Sequence, residues 1–175
     1  MAAASKPDLF EDLMLPHLDA AYNLARWLTR NDDDARDVVQ EAYLRALRFF
    51  DGFRGGDARP WLMAVVRNTA STWRRRGTAL AQVSFDEDIH GRTSGAPTIE
   101  TEMVKSSDRA HVRNCLESLP PEFREAMVMR ELEDMSYKDI AEVSGAPIGT
   151  VMSRLARARR RLQDCLTAKA KGAAQ

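Results

Sequence analysis

"IAEVSGAPIGTVMSRLARARRRL", residues 140–162, is the stretch on which the reading of the fold turns. Ile140 is followed by the small residue Ala141, then by Gly145, a short turn and the apolar Val151. This is the spacing of a helix-turn-helix. Ala141 is small where a second helix crosses, Gly145 favours the left-handed dihedrals that end a first helix, and Val151 points back into the corner. Projected at about 100° per residue, the second helix carries Val151, Leu155, Ala158, Leu162 and Leu166 on one stripe. Thr150, Ser153, Arg157, Arg160, Arg161 and, at the edge, Arg154 fall on the other side. Five arginines lie between positions 154 and 161. Arginine suits bidentate contact with guanine or phosphate. A helix in the major groove reads bases with its N-terminal half and grips the backbone further along. Thr150, Met152, Ser153, Arg154 and Arg157 are therefore base-edge candidates, and Arg160, Arg161 and Lys169 are phosphate candidates. The competing account is a solvated basic face on a packing helix. Turn spacing, small residue, glycine and one-sided arginines together favour DNA.

The basicity is local, because the 175-residue chain is formally neutral. Residues 54–77 carry a net +5 and residues 150–175 a net +6, against −4 for 1–53, −3 for 78–107 and −4 for 108–149. Two basic islands in an acidic sea speak about partners rather than fold. The hydrophobic fraction of 44% suffices for a core. No apolar run approaches the roughly 18 residues of a membrane span, and the N-terminus lacks the pattern of a signal peptide. A cytoplasmic protein with no membrane insertion is expected. Cys115 and Cys165 make no metal cluster or disulfide framework by themselves, so the default is two small, reduced, buried thiols. His111 and Cys115 stand four apart, which could be half a metal site, but a packed cysteine beside a surface histidine is the preferred account. With no phosphate loop, nucleophile motif or paired ligand spacing, neither enzyme, metal nor cofactor is expected.

Helical signals dominate. Residues 8–29 place Leu9, Leu13, Leu18, Tyr22, Ala25 and Leu28 near helical spacing. Asp34, with Asp37 three residues on, can cap a second helix running to about Phe50. "DGFRGGDARP" (51–60) is a loop, and Pro60 suits the first turn of a third helix extending to about Arg76. Residues 78–106 are polar, acidic and aperiodic, as in a linker. Further helices are expected over about 107–118, in "PPEFREAMVMREL" (120–132), over 137–144 behind Ser136 and Asp139 as a near capping box, and over about 148–166. The fold class is all-α: two small helical domains, 1–77 and 107–168, joined by a flexible linker, 78–106, with a disordered tail, 169–175.

The helix after Pro60 sets Leu62, Val65, Val66, Thr69 and Trp73 on an apolar face. Arg67, Asn68, Ser71, Arg74 and Arg75 lie opposite, with Trp61 at the edge and a preceding loop holding Phe53, Arg54, Gly55, Gly56 and Arg59. Rings, arginines and an amide on one surface suit single-stranded nucleic acid: bases stack, arginines track phosphate, and the amide can read an extruded base. Trp73 is read as a core anchor, while Trp61 stays open between core and stacking. On the helix before it, Asp37, Gln40, Glu41, Arg45 and Arg48 surround Leu44. That is either one ordinary exposed leucine or a docking site for a basic partner helix.

"DARDVVQEAYLRALRFFDGF" (34–53) resembles region 2.2 of bacterial sigma factors, and "ARPWLMAVVRNTASTWRRR" (58–76) their regions 2.3–2.4. "LESLPPEFREAMVMRELEDMSYKDIAEVSGAPIGTVMSRLARARRRL" (116–162) resembles region 4. Only these two regions are present, so the chain resembles the extracytoplasmic-function (ECF, group 4) class of the sigma-70 family. The resemblance implies an alternative sigma factor that binds core RNA polymerase and directs promoter recognition, −10 melting and initiation. It implies that Asp37, Gln40, Glu41 and Leu44 dock on the β′ clamp helices, that region 4 meets the β flap, and that Asn68 helps capture a flipped −10 base beside the 51–59 loop. Arg54, Arg59, Trp61, Arg67, Ser71, Arg74 and Arg75 would share the −10 contact. Ser153, Arg154 and Arg157 would read the −35 element, with Thr150, Met152, Arg160 and Arg161 beside them. A cognate anti-sigma factor is implied as a further partner. Two positions depart from the pattern: Thr72 stands where an acid is frequent, and Met152 where lysine is common. The acidic run 85–89 could mimic nucleic acid in the polymerase channel, although a solvated linker is the simpler account. Two rivals are a stand-alone helix-turn-helix regulator and a sigma mimic that sequesters an anti-sigma factor.

Overall fold

The structure, a computed structural model, describes residues 4–83 and 102–172. Helix α1 spans Lys6–Met14 and a 3-10 turn follows at Leu15–His17; α2 is Leu18–Thr29, α3 Asp32–Arg48 and a second 3-10 turn Phe50–Gly52. Then come α4 (Ala58–Val83), α5 (Glu102–Glu117), α6 (Pro121–Met127) running on into Val128–Leu132, α7 (Tyr137–Ser144) and α8 (Ile148–Gly172). No strand occurs among the described residues, so the all-α expectation holds.

Local chemistry explains the boundaries, and several differ from the sequence-based expectation. Residues 8–29 form two helices, because Pro16 has no N–H to donate and breaks the ladder into a 3-10 turn. The phase shifts with it: Phe10 and Met14 are buried, whereas Leu9 and Leu18 face solvent. Ser5 and Asp8 start α1 with a capping box. The cap of α3 is Asn31 rather than Asp34. The Asn31 side chain accepts from the backbone N–H groups of Asp33 and Asp34 at 2.9 and 3.0 Å, leaving Asp32, Asp33 and Asp34 in the first turn, where the helix dipole favours acids. Helix α4 continues to Val83, α5 begins at Glu102, and α8 runs to Gly172 where a frayed tail was expected. Past Met127 the backbone widens: Glu133 N–H donates to Val128 C=O at 3.1 Å and Met135 N–H to Met129 C=O at 2.9 Å. The 85–89 acidic run lies outside the described residues.

The expectation of two reduced cysteines is overturned. Cys115 and Cys165 are joined as a disulfide, with their Cα atoms 5.8 Å apart. Fifty positions separate them in sequence, and nothing in that spacing reveals that the end of α5 lies beside the C-terminal half of α8.

One apolar cluster runs through both halves. It unites Leu24, Leu28, Val38, Met63, Val66 and Ala70 with Met127, Met129, Ile140, Val143, Val151, Leu155 and Ala158. Fully burying a side chain of this size contributes about 1.5–3 kcal/mol. Helix α4 touches α2 and α3 on one side and α7 on the other, while α6 packs on α2 and α8. A second cluster, of Phe10, Met14, Ala46, Phe50, Ala58 and Leu62, closes the N-terminal end. There Phe10 and Phe50 meet edge to face at 5.3 Å.

Candidate nucleic-acid interface

The helix-turn-helix is built as the residues demand. Ser136 Oγ accepts from Asp139 N–H at 3.0 Å to start α7. Gly145 ends it at φ 65°, a conformation that costs a residue with a Cβ roughly 1–2 kcal/mol. Along α8, Val151, Leu155 and Ala158 are buried. Met152, Ser153, Arg157, Arg160 and Arg161 are exposed, with Thr150 and Arg154 half-buried at the edge. Arg154, Arg157 and Arg160 make no ion pair among the described residues. Two other arginines of α8 have partners. Arg161 lies over the Phe123 ring at 5.2 Å. Arg159 donates to Glu131 at 3.0 Å, a contact that, with Tyr137, holds its guanidinium above the ordinary arginine pKa. The phosphate candidate Lys169 lies near the end of α8, and its side chain is outside the described part of the structure.

The first basic island divides in two. Asn68, Arg74 and Arg75 are exposed and Ser71 is half-exposed. Arg75 donates to Ser71 Oγ at 3.3 Å, and Ser71, Arg74, Arg75 and Thr78 line a shallow open groove. Gly55 and Gly56, both at φ 84°, turn the preceding loop so that Arg54 is exposed. Phe53 stacks on Phe50 at 5.9 Å and leans on Trp61 at 5.4 Å. Trp61 thus forms the rim of the second cluster and stays half-exposed, while Trp73 packs against the main core.

Arg67 and Arg59 turn instead towards the C-terminal half. Arg67 Nε donates to both carboxylate oxygens of Glu125 at 3.0 Å, and Glu125 is only 4% exposed. Arg59 donates to the Glu133 carboxylate at 3.1 Å and to the Glu133 carbonyl. Asn23 donates to the same carboxylate at 2.5 Å. Beside them Arg124 is buried, donating to the Leu119 and Trp27 carbonyls at 3.1 and 3.3 Å. Burial, then the charges of Arg30 and Arg74, pull its pKa down. Glu125, Glu133 and Arg124 are residues that sequence reasoning missed. The one available signal was "PPEFREAM", where Arg124 and Glu125 interrupt an apolar run.

The third candidate surface is α3. Leu44 is 60% exposed, with Asp37 and Gln40 exposed around it. Glu41 pairs with Arg45 and lies 4.0 Å from Arg76. The sequence reading did not single out Leu47 and Phe49, which are also exposed near the end of α3. The half metal site does not form: Cys115 Sγ lies 3.8 Å from His111 Nε2 but is bonded to Cys165. No group of three or more metal-ligating side chains occurs among the described residues, and no described helix is long and apolar enough to cross a membrane.

Two family profiles match this architecture in order: Sigma-70 region 2 over residues 13–79 and Sigma-70, region 4 over residues 109–162. The chain belongs to the sigma-70 family. Its relatives place it among the ECF sigma factors. The ECF RNA polymerase sigma-E factor of Haemophilus influenzae is 36% identical over 149 residues, 81% of this chain and 78% of that protein. The sigma-E factor of Escherichia coli K12 is 36% identical over 139 residues, 75% and 73% of the two chains. The ECF sigma factor SigE of Mycolicibacterium smegmatis is 32% identical over 166 residues, 95% of this chain but 65% of that longer protein. Among solved structures, the sigma factor RpoE in complex with the anti-sigma factor NepR from Bartonella quintana superposes with a TM-score of 0.68 at 30% identity, covering 90% of this chain and 96% of that one. CnrH in complex with the cytosolic domain of CnrY gives 0.64 at 25% identity, covering 91% and 88%. In this sigma factor, region 2 carries the Leu44 patch and the Asn68 surface, and region 4 carries α8.

Proposed function

We propose that this ECF sigma factor acts in the cytoplasm as an alternative initiation factor rather than an enzyme. Core RNA polymerase docks on Asp37, Gln40, Glu41 and Leu44 through its β′ clamp helices, and its β flap meets region 4. Asn68 captures an extruded −10 base, with Arg54, Trp61, Ser71, Arg74 and Arg75 holding the unpaired strand. Capture offsets an unstacking cost of a few kcal/mol. Thr150, Met152, Ser153, Arg154 and Arg157 read the −35 duplex while Arg160 and Arg161 grip phosphate. The observation that carries this reading is the division of α8 into a buried apolar stripe and an exposed arginine face, on a chain that has a second, separate basic surface on α4.

The closed arrangement sharpens the reading. Arg59 and Arg67 reach promoter DNA only after Glu133 and Glu125 release them, so the free chain binds DNA poorly. Polymerase separates region 2 from region 4 and sets them on the two promoter elements. An anti-sigma factor would act by holding the halves together; the similar sigma factor RpoE was captured in complex with the anti-sigma factor NepR.

The test is transcription in vitro with purified core polymerase and a library of promoter fragments. Specific initiation and copurification with core are expected. Tight duplex binding without polymerase would favour a stand-alone regulator, and no initiation from any fragment, with no core binding, would overturn the reading.

A further inference from the structure

The two sulfurs of the Cys115–Cys165 bond sit in unequal surroundings. Cys115, on α5, is 1% exposed, and the Nε2 and Nδ1 atoms of His111 lie 3.8 and 4.0 Å from its Sγ. Cys165, on α8, is half-exposed, between the exposed Asp164 and the half-exposed Leu166. The bond is also central to how α5 is held. Among the described side chains of α5, Cys115 alone is buried, Leu116 and Glu117 are half-buried, and the turns before them face water on most sides. Helix α5 packs mainly on α8; Leu116 rests against the main core, and Glu117 pairs loosely with Arg30 at 3.8 Å.

We propose that Cys115–Cys165 is a thiol–disulfide exchange site, opened and closed by low-molecular-weight thiols and disulfides of the glutathione class, and that it sets whether α5 is fastened to α8. Attack by an external thiolate is directed at the accessible Cys165 Sγ. The S–S bond breaks, a mixed disulfide forms on Cys165, and Cys115 leaves as a thiolate that accepts a hydrogen bond from His111. A second external thiolate then attacks the mixed disulfide, freeing Cys165 and releasing the small disulfide. Closure runs in reverse. The Cys165 thiolate attacks glutathione disulfide and expels one glutathione thiolate, then the Cys115 thiolate attacks Cys165 Sγ and expels the second. Two electrons pass from the two protein thiols to one glutathione disulfide, giving two glutathione thiols. A half-exposed disulfide flanked by a hydrogen-bond donor is the labile kind. None of these residues belongs to the polymerase or promoter surfaces, so the site stands or falls independently of them.

The test holds the full-length chain in buffers of graded glutathione to glutathione disulfide ratio, blocks free thiols with an alkylating agent and weighs the intact protein. The proposal expects a reversible change between two alkylated cysteines and none. Cys115→Ser should trap a glutathione adduct on Cys165, while Cys165→Ser should leave the buried Cys115 without one. His111→Phe should slow reduction by roughly tenfold, the rate equivalent of one hydrogen bond to a charged group. Hydrogen exchange should quicken across α5 in the reduced chain while α2 and α3 keep their protection, which also shows that the reduced chain is folded. A bond that resists reduction over the whole range, thiols that never pair, an adduct on Cys115 in place of Cys165, or equal exchange of α5 in both states would each overturn it.

Discussion

Asn68 stands exposed on α4 with its backbone carbonyl accepting from Thr72 Oγ1 at 3.0 Å. Its amide is thus presented by a rigid helix without packing into the core. Replacing it with alanine should abolish open-complex formation, followed by permanganate reactivity of −10 thymines, while gel filtration still shows binding to core polymerase. Loss of both together would assign Asn68 to folding or docking. Tyr43 has a different role. Its hydroxyl donates to the Met14 carbonyl at 2.8 Å, and burial raises its pKa from 10.0 to about 12. Between those values the unfolded chain gives up the tyrosine proton and the folded chain keeps it, so this contribution to stability falls as pH rises and is constant below that window. The alkaline loss of melting temperature should therefore be shallower in Tyr43→Phe than in the parent. Parallel slopes would remove Tyr43 from the account. At this scale the 3.6-residue period revealed which side chains of α8 face water, though it misplaced Leu9 and Leu18, which are exposed. It did not reveal partners: the basic side of α4 was legible, but nothing local could say that Arg67 meets Glu125.

The exposed arginines of α8 and the apolar patch of α3 are properties of elements. Arg157 makes no ion pair among the described residues, so Arg157→Ala should leave the fold intact and weaken binding to the upstream promoter half by about 1–3 kcal/mol, if the contact is bidentate to a base. Footprinting of the holoenzyme measures this, and an unchanged −35 footprint would count against base contact. Leu44, at 60% exposure, contributes little to the core. Leu44→Asp should keep the unfolding free energy within about 0.5 kcal/mol of the parent's and still remove affinity for core polymerase in a pull-down. A destabilised chain with intact polymerase binding would reverse the assignment. Helix was readable for most described elements, although residues 78–83 and 102–106, read as linker, are helical. Boundaries were less so, because Asn31 and Asp34 are both good caps and only the chain path selects Asn31. The split at Pro16 was the avoidable miss, since a proline inside a helical pattern marks a break.

Across the whole molecule, the decisive contact is the pairing of Arg67 with Glu125. Removing one partner of a buried pair costs about 3–5 kcal/mol, and the low end applies because the Arg67 side chain is 27% exposed and can turn towards water. Glu125→Gln should loosen region 4 from region 2, enlarge the radius of gyration in solution scattering, and raise affinity for single-stranded −10 DNA in the absence of polymerase. Unchanged dimensions together with unchanged DNA affinity would mean that the closed arrangement does not restrain the arginines. This level of organisation was the least legible. Each half carries its own helical periods, and an interface made from Asn23, Arg59, Arg67, Glu125 and Glu133 leaves no spacing signal because its members are scattered over more than a hundred positions.

The apolar cluster shared between the halves has a consequence for how the chain is born. Ribosomes deliver roughly 5–20 residues per second, so on the order of ten seconds pass between synthesis of Ala70 and of Ala158. During that interval the nascent N-terminal helices offer Met63, Val66 and Leu28 to whatever is nearby, before the later helices that will cover them exist. A binding protein already waiting in the cell could seize that bare surface co-translationally, with no need to pry open a finished molecule.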